Sequence, residues 1–372
     1  MIDTDAPVLV VGAGPTGAVL ALELARHGVP SLVVERSSRP PRHSGPDLIG
    51  GTAAGILERL GVAGRVLAGG VDAGARGRVE WSRAVGGPPV VTMPSPLAGQ
   101  VTGIGLVTRL RAVLRDHPLI DLREGWTFTG SRHTGGRTVA TVLNSATGTR
   151  HDLPVGHLAG CDGARSTVRR CLGVPLEDTI TTGQYCSVDF RSDALDRRFP
   201  RSSMIMADGI SLVRCTGPGM WTGHLLLDRD SSEEADPAGV LHSRLPAALA
   251  ASQVLGVVQW HDPLGVARVY GRGTTYLAGQ SAHPLHPPSA LVDTCLADAA
   301  DLGGRLAAAV NGGPGPLDGY QRDRRPHAVR DRERLSRALD RHHRFAALAA
   351  TGASPEQLAG VLRDRPQDHV NT

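Results

Sequence analysis

The chain has 372 residues, of which 41% are hydrophobic, enough to bury the core of one large domain or two closely joined ones. Its 40 basic residues, all of them arginine, stand against 36 acidic residues, so the formal net charge is only +4. Aromatic residues make up 3% of the chain, and the arginines are scattered. A nucleic-acid surface needs a concentrated basic stripe with stacking aromatics, so we expect no nucleic-acid partner.

The cysteine pattern and the hydropathy favour a soluble cytoplasmic protein. The five cysteines, which include no CxxC pair, are too widely spaced and odd in number for a disulfide framework. The first residues are acidic where a signal peptide would be basic. No apolar run approaches the length of a membrane span, so we expect no membrane partner.

The first 35 residues predict a strand, a helix and a second strand. Residues 7–11 form a short β-branched apolar run, typical of a buried parallel strand. Residues 18–26 are strong helix formers, and Gly28 ends that helix. Residues 31–35 form the second buried strand. The spacing is that of one βαβ unit.

The rest of the chain gives weaker patterns. Between 181 and about 270 the alternation has a period of two, which predicts an antiparallel sheet, interpreted as a layer covering the substrate. The stretch 61–105, rich in Gly and Pro, predicts no definite element. Helices are predicted at 53–60, 109–115, 289–310 and from 319 onward. Strands are predicted at 120–123, at 138–143 and 151–153 (which form a hairpin), in a segment that ends at 161, and at 275–278.

The turn between the first strand and helix carries the clearest chemical signal, Gly12-Ala13-Gly14-Pro15-Thr16-Gly17. In such a turn the first glycine permits the tight bend, the second admits a pyrophosphate against the backbone, and the third lets helix and strand pack closely. The helix N-terminus offers N–H groups to phosphate. Glu35, at the end of the next strand, can accept hydrogen bonds from ribose hydroxyls. The spacing predicts a dinucleotide site but does not distinguish FAD from NAD.

Three segments carry a family resemblance. The first turn, followed by Val33-Val34-Glu35-Arg36, resembles the N-terminus of flavoprotein monooxygenases. Residues 160–169 (GCDGARSTVR) are similar to an internal Asp-Gly motif of that family, and residues 273–284 (GTTYLAGQSAHP) resemble its second FAD motif. Together they identify the chain as similar to the p-hydroxybenzoate hydroxylase family of FAD-dependent aromatic hydroxylases, over nearly its whole length.

The resemblance implies an α/β fold, with a Rossmann-like FAD-binding domain and an inserted antiparallel-sheet substrate domain. It implies FAD as cofactor, NAD(P)H as co-substrate and an aromatic or polyketide-like small molecule as substrate. It implies domain limits of 1–180 and 271–330 for FAD binding, 181–270 for the substrate sheet and 331–372 for a helical tail. For cofactor binding, the resemblance implies the first turn, Glu35 and Arg36. It also implies five further residues: Arg42, Arg109, Asp162, Gly279 and Gln280. No metal site and no catalytic side chain are expected, and the pattern leaves the oligomeric state open.

Two departures concern the flavin-ring half of the site. Gln280 stands where the family normally has an aspartate for the ribityl hydroxyls, and an amide accepts without charge assistance. No glycine follows Gly279 until Gly303, where the family has a Gly-rich stretch, and Asp293 adds a negative charge there. Either FAD is held loosely, or another local backbone restores the contacts, or redox chemistry is lost. The alternative function is therefore a flavin-free descendant acting as a non-redox enzyme or an accessory protein.

Overall fold

The computed structural model describes residues 7–39, 46–68, 77–94, 99–134, 137–180, 185–207, 209–215, 217–227, 236–259, 263–285, 292–313 and 317–363. The chain forms two units. The first unit comprises Met1–Gly70, Val101–Thr181 and Asp262–Arg332, and the second comprises Val71–Gln100, Thr182–His261 and Glu333–Thr372.

The helices are bounded as follows. They are α1 (Pro15–Arg26), α2 (Gly51–Arg59), α3 (Ala63–Val66), α4 (Gly103–Arg115), α5 (Thr167–Cys171), α6 (Asp193–Arg198), α7 (Pro237–Arg244), α8 (Asp293–Val310), α9 (Leu317–Ala350) and α10 (Pro355–Arg363), with short 3₁₀ turns at Ala247–Leu249 and Gly279–Ser281. Within the described residues, none of these helices is both long and apolar enough to cross a bilayer.

The strands are short. They are β1 (Val8–Val11), β2 (Ser31–Glu35), β3 (Pro46–Ile49), β4 (Arg78–Ser82), β5 (Pro89–Pro94), β6 (Gly99–Thr102), β7 (Ile120–Glu124), β8 (Trp126–Thr134), β9 (Arg137–Asn144), β10 (Thr149–Val155), β11 (His157–Gly160), β12 (Leu176–Ile180), β13 (Tyr185–Arg191), β14 (Ser202–Ala207), β15 (Ile210–Arg214), β16 (Met220–Leu226), β17 (Gln253–Gln259), β18 (Leu264–Ala267), β19 (Gly271–Arg272) and β20 (Thr275–Leu277).

The first unit is built on a sheet of order β19-β20-β11-β1-β2-β7, parallel except for the β19–β20 pair. All four residues of β1 are buried, as expected for a parallel strand covered on both faces. The carboxyl ends of β1, β2 and β11 lie together at one edge, where doubly wound sheets bind their ligands. The predicted βαβ unit and the Rossmann-like fold are confirmed.

Helix α1 packs against this sheet and against α8, and ten of its twelve residues are buried. The predicted hairpin is also confirmed, with Val142 of β9 opposite His151 of β10. The third strand of that small sheet, β8, was not predicted because its residues alternate only weakly between buried and exposed.

The second unit contains a sheet of order β17-β13-β16-β15-β14-β4-β5. Its strands pair antiparallel except β14 with β4, so the predicted antiparallel layer is confirmed in its main part. One face is apolar and packs in a core containing Val188, Phe190 and Leu225. Ser187 precedes Val188 on β13, and His224 precedes Leu225 on β16. These two polar residues are cross-strand partners, and their side chains hydrogen-bond each other at 2.8 Å.

Candidate dinucleotide site

The three glycines of the first turn differ in their surroundings, and those of Gly12 and Gly17 agree with the predicted tight bend and close helix–strand packing. Gly12 has a φ of +103°, and a Cβ there would lie 2.5 Å from the carbonyl oxygen of Cys161, after β11. A Cβ on Gly17 would overlap the carbonyl oxygen of Gly12, so only glycine permits this approach of α1. A Cβ on Gly14 would meet none of the described residues within 4 Å, because Gly14 borders open space.

The N-terminus of α1 remains available to an anion. Gly14 is the N-cap residue, Pro15 follows in the first turn, and no side chain of the described residues caps the helix. First-turn N–H groups and the helix dipole favour phosphate at such an end. The unpaired N–H groups of the first turn of α1 therefore lie beside the open space at Gly14.

Glu35 is held at this turn by its own hydrogen bonds. One carboxylate oxygen accepts from the Ala13 N–H at 2.9 Å, and the other accepts from the Ser37 N–H at 2.9 Å. The guanidinium of Arg111 lies 3.3 Å away. Since an ionised carboxylate has about four acceptor positions, acceptor capacity remains for sugar hydroxyls.

Arg111 was not among the residues predicted from the sequence, although it supports the first turn. Its side chain is buried, and it donates to the carbonyl oxygens of Ala13 at 3.3 Å and Ser37 at 3.1 Å and to Glu124 at 3.1 Å. Arg109, which the family resemblance implies, donates to the carbonyl oxygen of Val66 at 3.1 Å and does not line the cleft beside the first turn. Positions two apart on a helix point in different directions, so only one of these two arginines reaches the turn.

A cleft of about 260 Å³ opens beside the first turn. Arg36 and Arg165 add positive charge to its rim. The Trp126 ring in its wall contacts the Arg123 guanidinium at 5.1 Å and stacks on His151 at 5.0 Å. The lining consists of Val11, Gly12, Gly14, Val34, Glu35, Arg36, Trp126, Thr127, Phe128, Cys161, Asp162, Gly163, Arg165 and Thr167.

Asp162 organises the start of α5. Its carboxylate accepts from the Ser166 hydroxyl at 2.5 Å and from the N–H groups of Thr167 and Val168 at 2.6 and 3.1 Å. From α5, Arg169 reaches the carbonyl oxygen of Ser281 at 2.7 Å, which ties the internal Asp-Gly segment to the segment around Gly279. Asp162 also lines the cleft, although three hydrogen bonds from the start of α5 already occupy most of the acceptor positions of its carboxylate.

Gly279 lies against the first turn of α1. Its φ is +59°, and a Cβ there would lie 2.5 Å from the Thr16 hydroxyl oxygen. Its N–H donates to the buried carboxylate of Asp298 at 3.2 Å, which also bonds His283 at 2.7 Å and Arg324 at 2.8 Å. Sequence reasoning missed Asp298, whose partners are far apart in the chain.

Gln280, next to Gly279, is half-buried. The structure thus brings Gly12, Gly14, Pro15, Thr16, Gly17, Glu35, Arg36, Asp162, Gly279 and Gln280 to one edge of the sheet. Arg42 lies outside the described residues, as does part of the glycine-free stretch, 286–291. Within the described ranges, no cluster of three or more His, Cys, Asp or Glu side chains is arranged to hold a metal ion.

Asp293 caps a neighbouring helix. It is the first residue of α8, and its carboxylate accepts from the Gly50 N–H at 2.7 Å and the Ala53 N–H at 3.0 Å, at the N-terminus of α2. The negative charge expected at this position is therefore balanced by two hydrogen bonds and the dipole of α2.

Asp293→Ala is expected to lower the free energy of unfolding by about 1–2 kcal/mol, because both α2 amides lose their acceptor. Asp293→Asn should recover part of the loss, since its amide oxygen still accepts. Asp301→Ala on the same helix removes a partly exposed pair with Arg305 and should cost less than about 0.5 kcal/mol. Urea unfolding measures all three; an Asp293→Ala variant as stable as the native chain would contradict the capping role.

A family model described as an FAD binding domain matches residues 5–334. The chain belongs to this family. It is 28% identical over 367 residues to the FAD-dependent monooxygenase apdD of Emericella nidulans, covering 86% of this chain and 58% of that protein. It is 27% identical over 348 residues to a 3-(3-hydroxy-phenyl)propionate/3-hydroxycinnamic acid hydroxylase of Mycobacterium sp. (strain JLS), covering 88% and 58%. The chain thus spans 58% of the length of each of these relatives.

Among solved structures, the flavin-dependent monooxygenase PieE, in complex with FAD and substrate, superposes with a TM-score of 0.82 at 25% identity, over 98% of this chain and 69% of that one. The resemblance to p-hydroxybenzoate hydroxylase-like flavoproteins is confirmed by the family match and by this fold. At this edge of the sheet the structure places the glycine backbone of the first turn and the Glu35 carboxylate together.

Proposed function

We propose that the chain is an FAD-dependent monooxygenase that uses NAD(P)H and hydroxylates an aromatic or polyketide-like small molecule. The observation that supports it most is the open cleft at the uncapped N-terminus of α1, with Gly14 backbone and the Glu35 carboxylate on its wall. Family membership and relatives named as monooxygenases and phenolic-acid hydroxylases support the reaction class.

The residues at this edge fit the ADP half of FAD. The α1 N-terminus and the Gly14 backbone would hold the diphosphate, and Glu35, fixed by Ala13 and Arg111, would accept from the ribose. Gln280 would accept from the ribityl chain, as the family resemblance implies. When bound, FAD would supply the redox chemistry, in which two electrons from NAD(P)H and one O₂ yield a hydroxylated substrate and water.

The direct test is a titration of the purified full chain with FAD. Flavin absorbance that remains with the protein after gel filtration, and NAD(P)H consumption stimulated by a phenolic compound that gains one oxygen atom, would support the proposal. A folded chain that takes up no FAD at high micromolar concentration would overturn it.

Gln280→Asp is expected to tighten FAD binding about fivefold, because a charged acceptor roughly doubles the strength of a hydroxyl hydrogen bond. Gln280→Asn is the matched control, since it has the length of aspartate without the charge and should not tighten binding. Calorimetric titration with FAD and with ADP separates the two halves of the site. ADP affinity should be the same in all three proteins, and equal FAD affinity of the Asp and Asn variants would contradict the role of position 280.

A second candidate, a flavin-free member of the fold with a non-redox or accessory role, is favoured by one observation, because Gln280 lacks the charge of the family's aspartate. A colourless, folded chain that binds ADP but gains no affinity from the flavin portion of FAD would favour this candidate. A cytoplasmic location, the domain limits given above and the absence of nucleic-acid and membrane partners stay predictions from the sequence.

A further inference from the structure

The outer strand β17, in the sheet of the second unit, has an exposed edge that differs from the other sheet edges. It pairs with β13 on one side, and no strand among the described residues pairs with its other side. Its sequence, QVLGVVQ, contains no charged residue and no proline. Val257 and Val258 are 42% and 43% exposed, and across the described residues they are the large apolar side chains that are exposed. A strand of this kind offers backbone donors and acceptors, together with apolar surface, to a further strand.

The other outer strands of the two large sheets are protected against such pairing. β5, at the opposite edge of the same sheet, has a proline at each end, and its apolar side chains pack in a cluster with those of α10. In the first unit, β7 carries three charged residues out of five, and β19 has only two residues. Prolines, charges and short length are devices by which native sheets prevent edge-to-edge pairing. β17 has none of these three.

The sequence of β17 is almost the same in both directions, which indicates what kind of strand fits it. Antiparallel pairing with an identical strand about Gly256 opposes like with like. The opposed residues are Gln253 with Gln259, Val254 with Val258, and Leu255 with Val257. Apolar side chains then face apolar ones, amides face amides, and no two like charges are opposed. A second copy of this chain therefore meets the requirements of the edge.

We propose that β17 pairs antiparallel with β17 of a second copy of this chain, so that the two seven-stranded sheets continue into one. The contact is isologous, because each copy contributes the same strand, and such a contact closes at two copies. The prolines of β5 and the packing of α10 against it block the opposite edge, so the sheet does not extend into a filament. This dimer depends neither on FAD nor on the proposed function.

The size of the contact limits its strength. Stable interfaces bury about 1,200–2,000 Å² in total, and weak associations bury less. One pair of seven-residue strands belongs to the weak class. In addition, the register of β17 on β13 shifts at Leu255, so the regular part of the edge is 256–259, which includes both exposed valines. We therefore expect a reversible dimer with a dissociation constant on the order of 10 µM.

Sedimentation velocity of the full chain is the first test. Between about 1 and 200 µM, monomer should convert to dimer, and no larger species should appear. Hydrogen–deuterium exchange, followed by mass spectrometry at both ends of this concentration range, locates the contact. The amides of β17 should exchange more slowly at the higher concentration, and those of β5 should exchange equally at both.

Val257→Lys is expected to weaken the dimer at least about tenfold. In the proposed register the two copies of residue 257 lie diagonally on one face of the joined sheet, so two lysines repel each other there. Val257→Asp should weaken the dimer for the same reason. A mixture of the two variants should dimerise again, because unlike charges then meet. Thr92→Lys, at an exposed position of β5, is the matched control and should dimerise as the native chain does.

The proposal is overturned if the native chain stays monomeric up to about 200 µM, if it forms open-ended aggregates instead of a dimer, or if Val257→Lys dimerises as tightly as the native chain. A mixture no more dimeric than its separate components also overturns it, because two-fold pairing brings the two residues at 257 together. Circular dichroism checks that each variant is folded. If Val257→Lys is not, Val258→Lys replaces it and should also weaken the dimer, since its side chain lies on the opposite face of β17.

Discussion

Gly17→Ala is expected to lower the free energy of unfolding by at least about 3 kcal/mol. A methyl group at this position would overlap the carbonyl oxygen of Gly12 and approach the Cys161 side chain, at 3.3 Å from its Cβ. The obstacle is the backbone of Gly12, so it cannot be relieved by a side chain that moves aside. Relief requires α1 to separate from β1, in a region where ten of the twelve α1 residues are buried, and overpacking of this kind is costly.

Gly14→Ala is the matched control, two residues from Gly12 and three from Gly17. Its methyl group would meet none of the described residues within 4 Å, and its φ of −73° is ordinary for alanine, so stability should fall by less than about 1 kcal/mol. The methyl would instead stand in the cleft where a diphosphate would approach the backbone. ADP affinity should fall about tenfold or more in this stable variant.

Urea unfolding and calorimetric titration with ADP separate the two effects. The glycine assignments fail if Gly17→Ala is as stable as the native chain, or if Gly14→Ala binds ADP as well as the native chain does. Loss of stability in Gly14→Ala would show instead that the open space beside it is filled in solution.

The parts of the site that could be predicted from the sequence are those formed by neighbours in the chain. The strand, the glycine turn, the helix and Glu35 lie within 35 residues, and local patterning dictates each of them. The β9–β10 hairpin was predicted for the same reason, since its strands are joined by a short connection. The family resemblance added the two distant segments around Asp162 and Gly279.

The parts that could not be predicted depend on contacts between distant segments. Strands β4 and β5 lie in a Gly- and Pro-rich stretch and pair with each other, and β4 is fixed in the sheet by pairing with β14, more than 100 residues away. Asp293 was expected to add negative charge at the flavin-ring half of the site, and its capping role follows only from the position of α2, more than 200 residues earlier in the chain. Arg111 carried a usable local signal, because it lies on the apolar face of α4, four residues after Val107 and three before Leu114, where an arginine needs a buried partner.

Acidification is expected to destabilise the second unit through His342. Burial, reinforced by His343 and Arg244, lowers the pKa of this imidazole from 6.5 to about 4 in the folded chain. Above pH 6.5 the imidazole is neutral in both the folded and the unfolded state, so the folded state keeps its full stability. As the pH falls from 6.5 towards 4, the unfolded state takes up the proton first, and the free energy of unfolding drops by about 1.4 kcal/mol per pH unit.

Between pH 7.5 and pH 5 the contribution of this one group amounts to about 2 kcal/mol. Other groups titrate in the same range, so the quantity to measure is the difference between the native chain and His342→Leu, which cannot take up a proton. The native chain should lose about 2 kcal/mol more than the variant over this interval in urea unfolding. Phe345→Leu, three residues further along α9, should lower stability at both pH values while keeping the native pH dependence, because His342 still titrates in this variant.

Equal pH dependence for the native chain and His342→Leu would contradict this role of His342. It would mean that burial does not hold the imidazole neutral in the folded state.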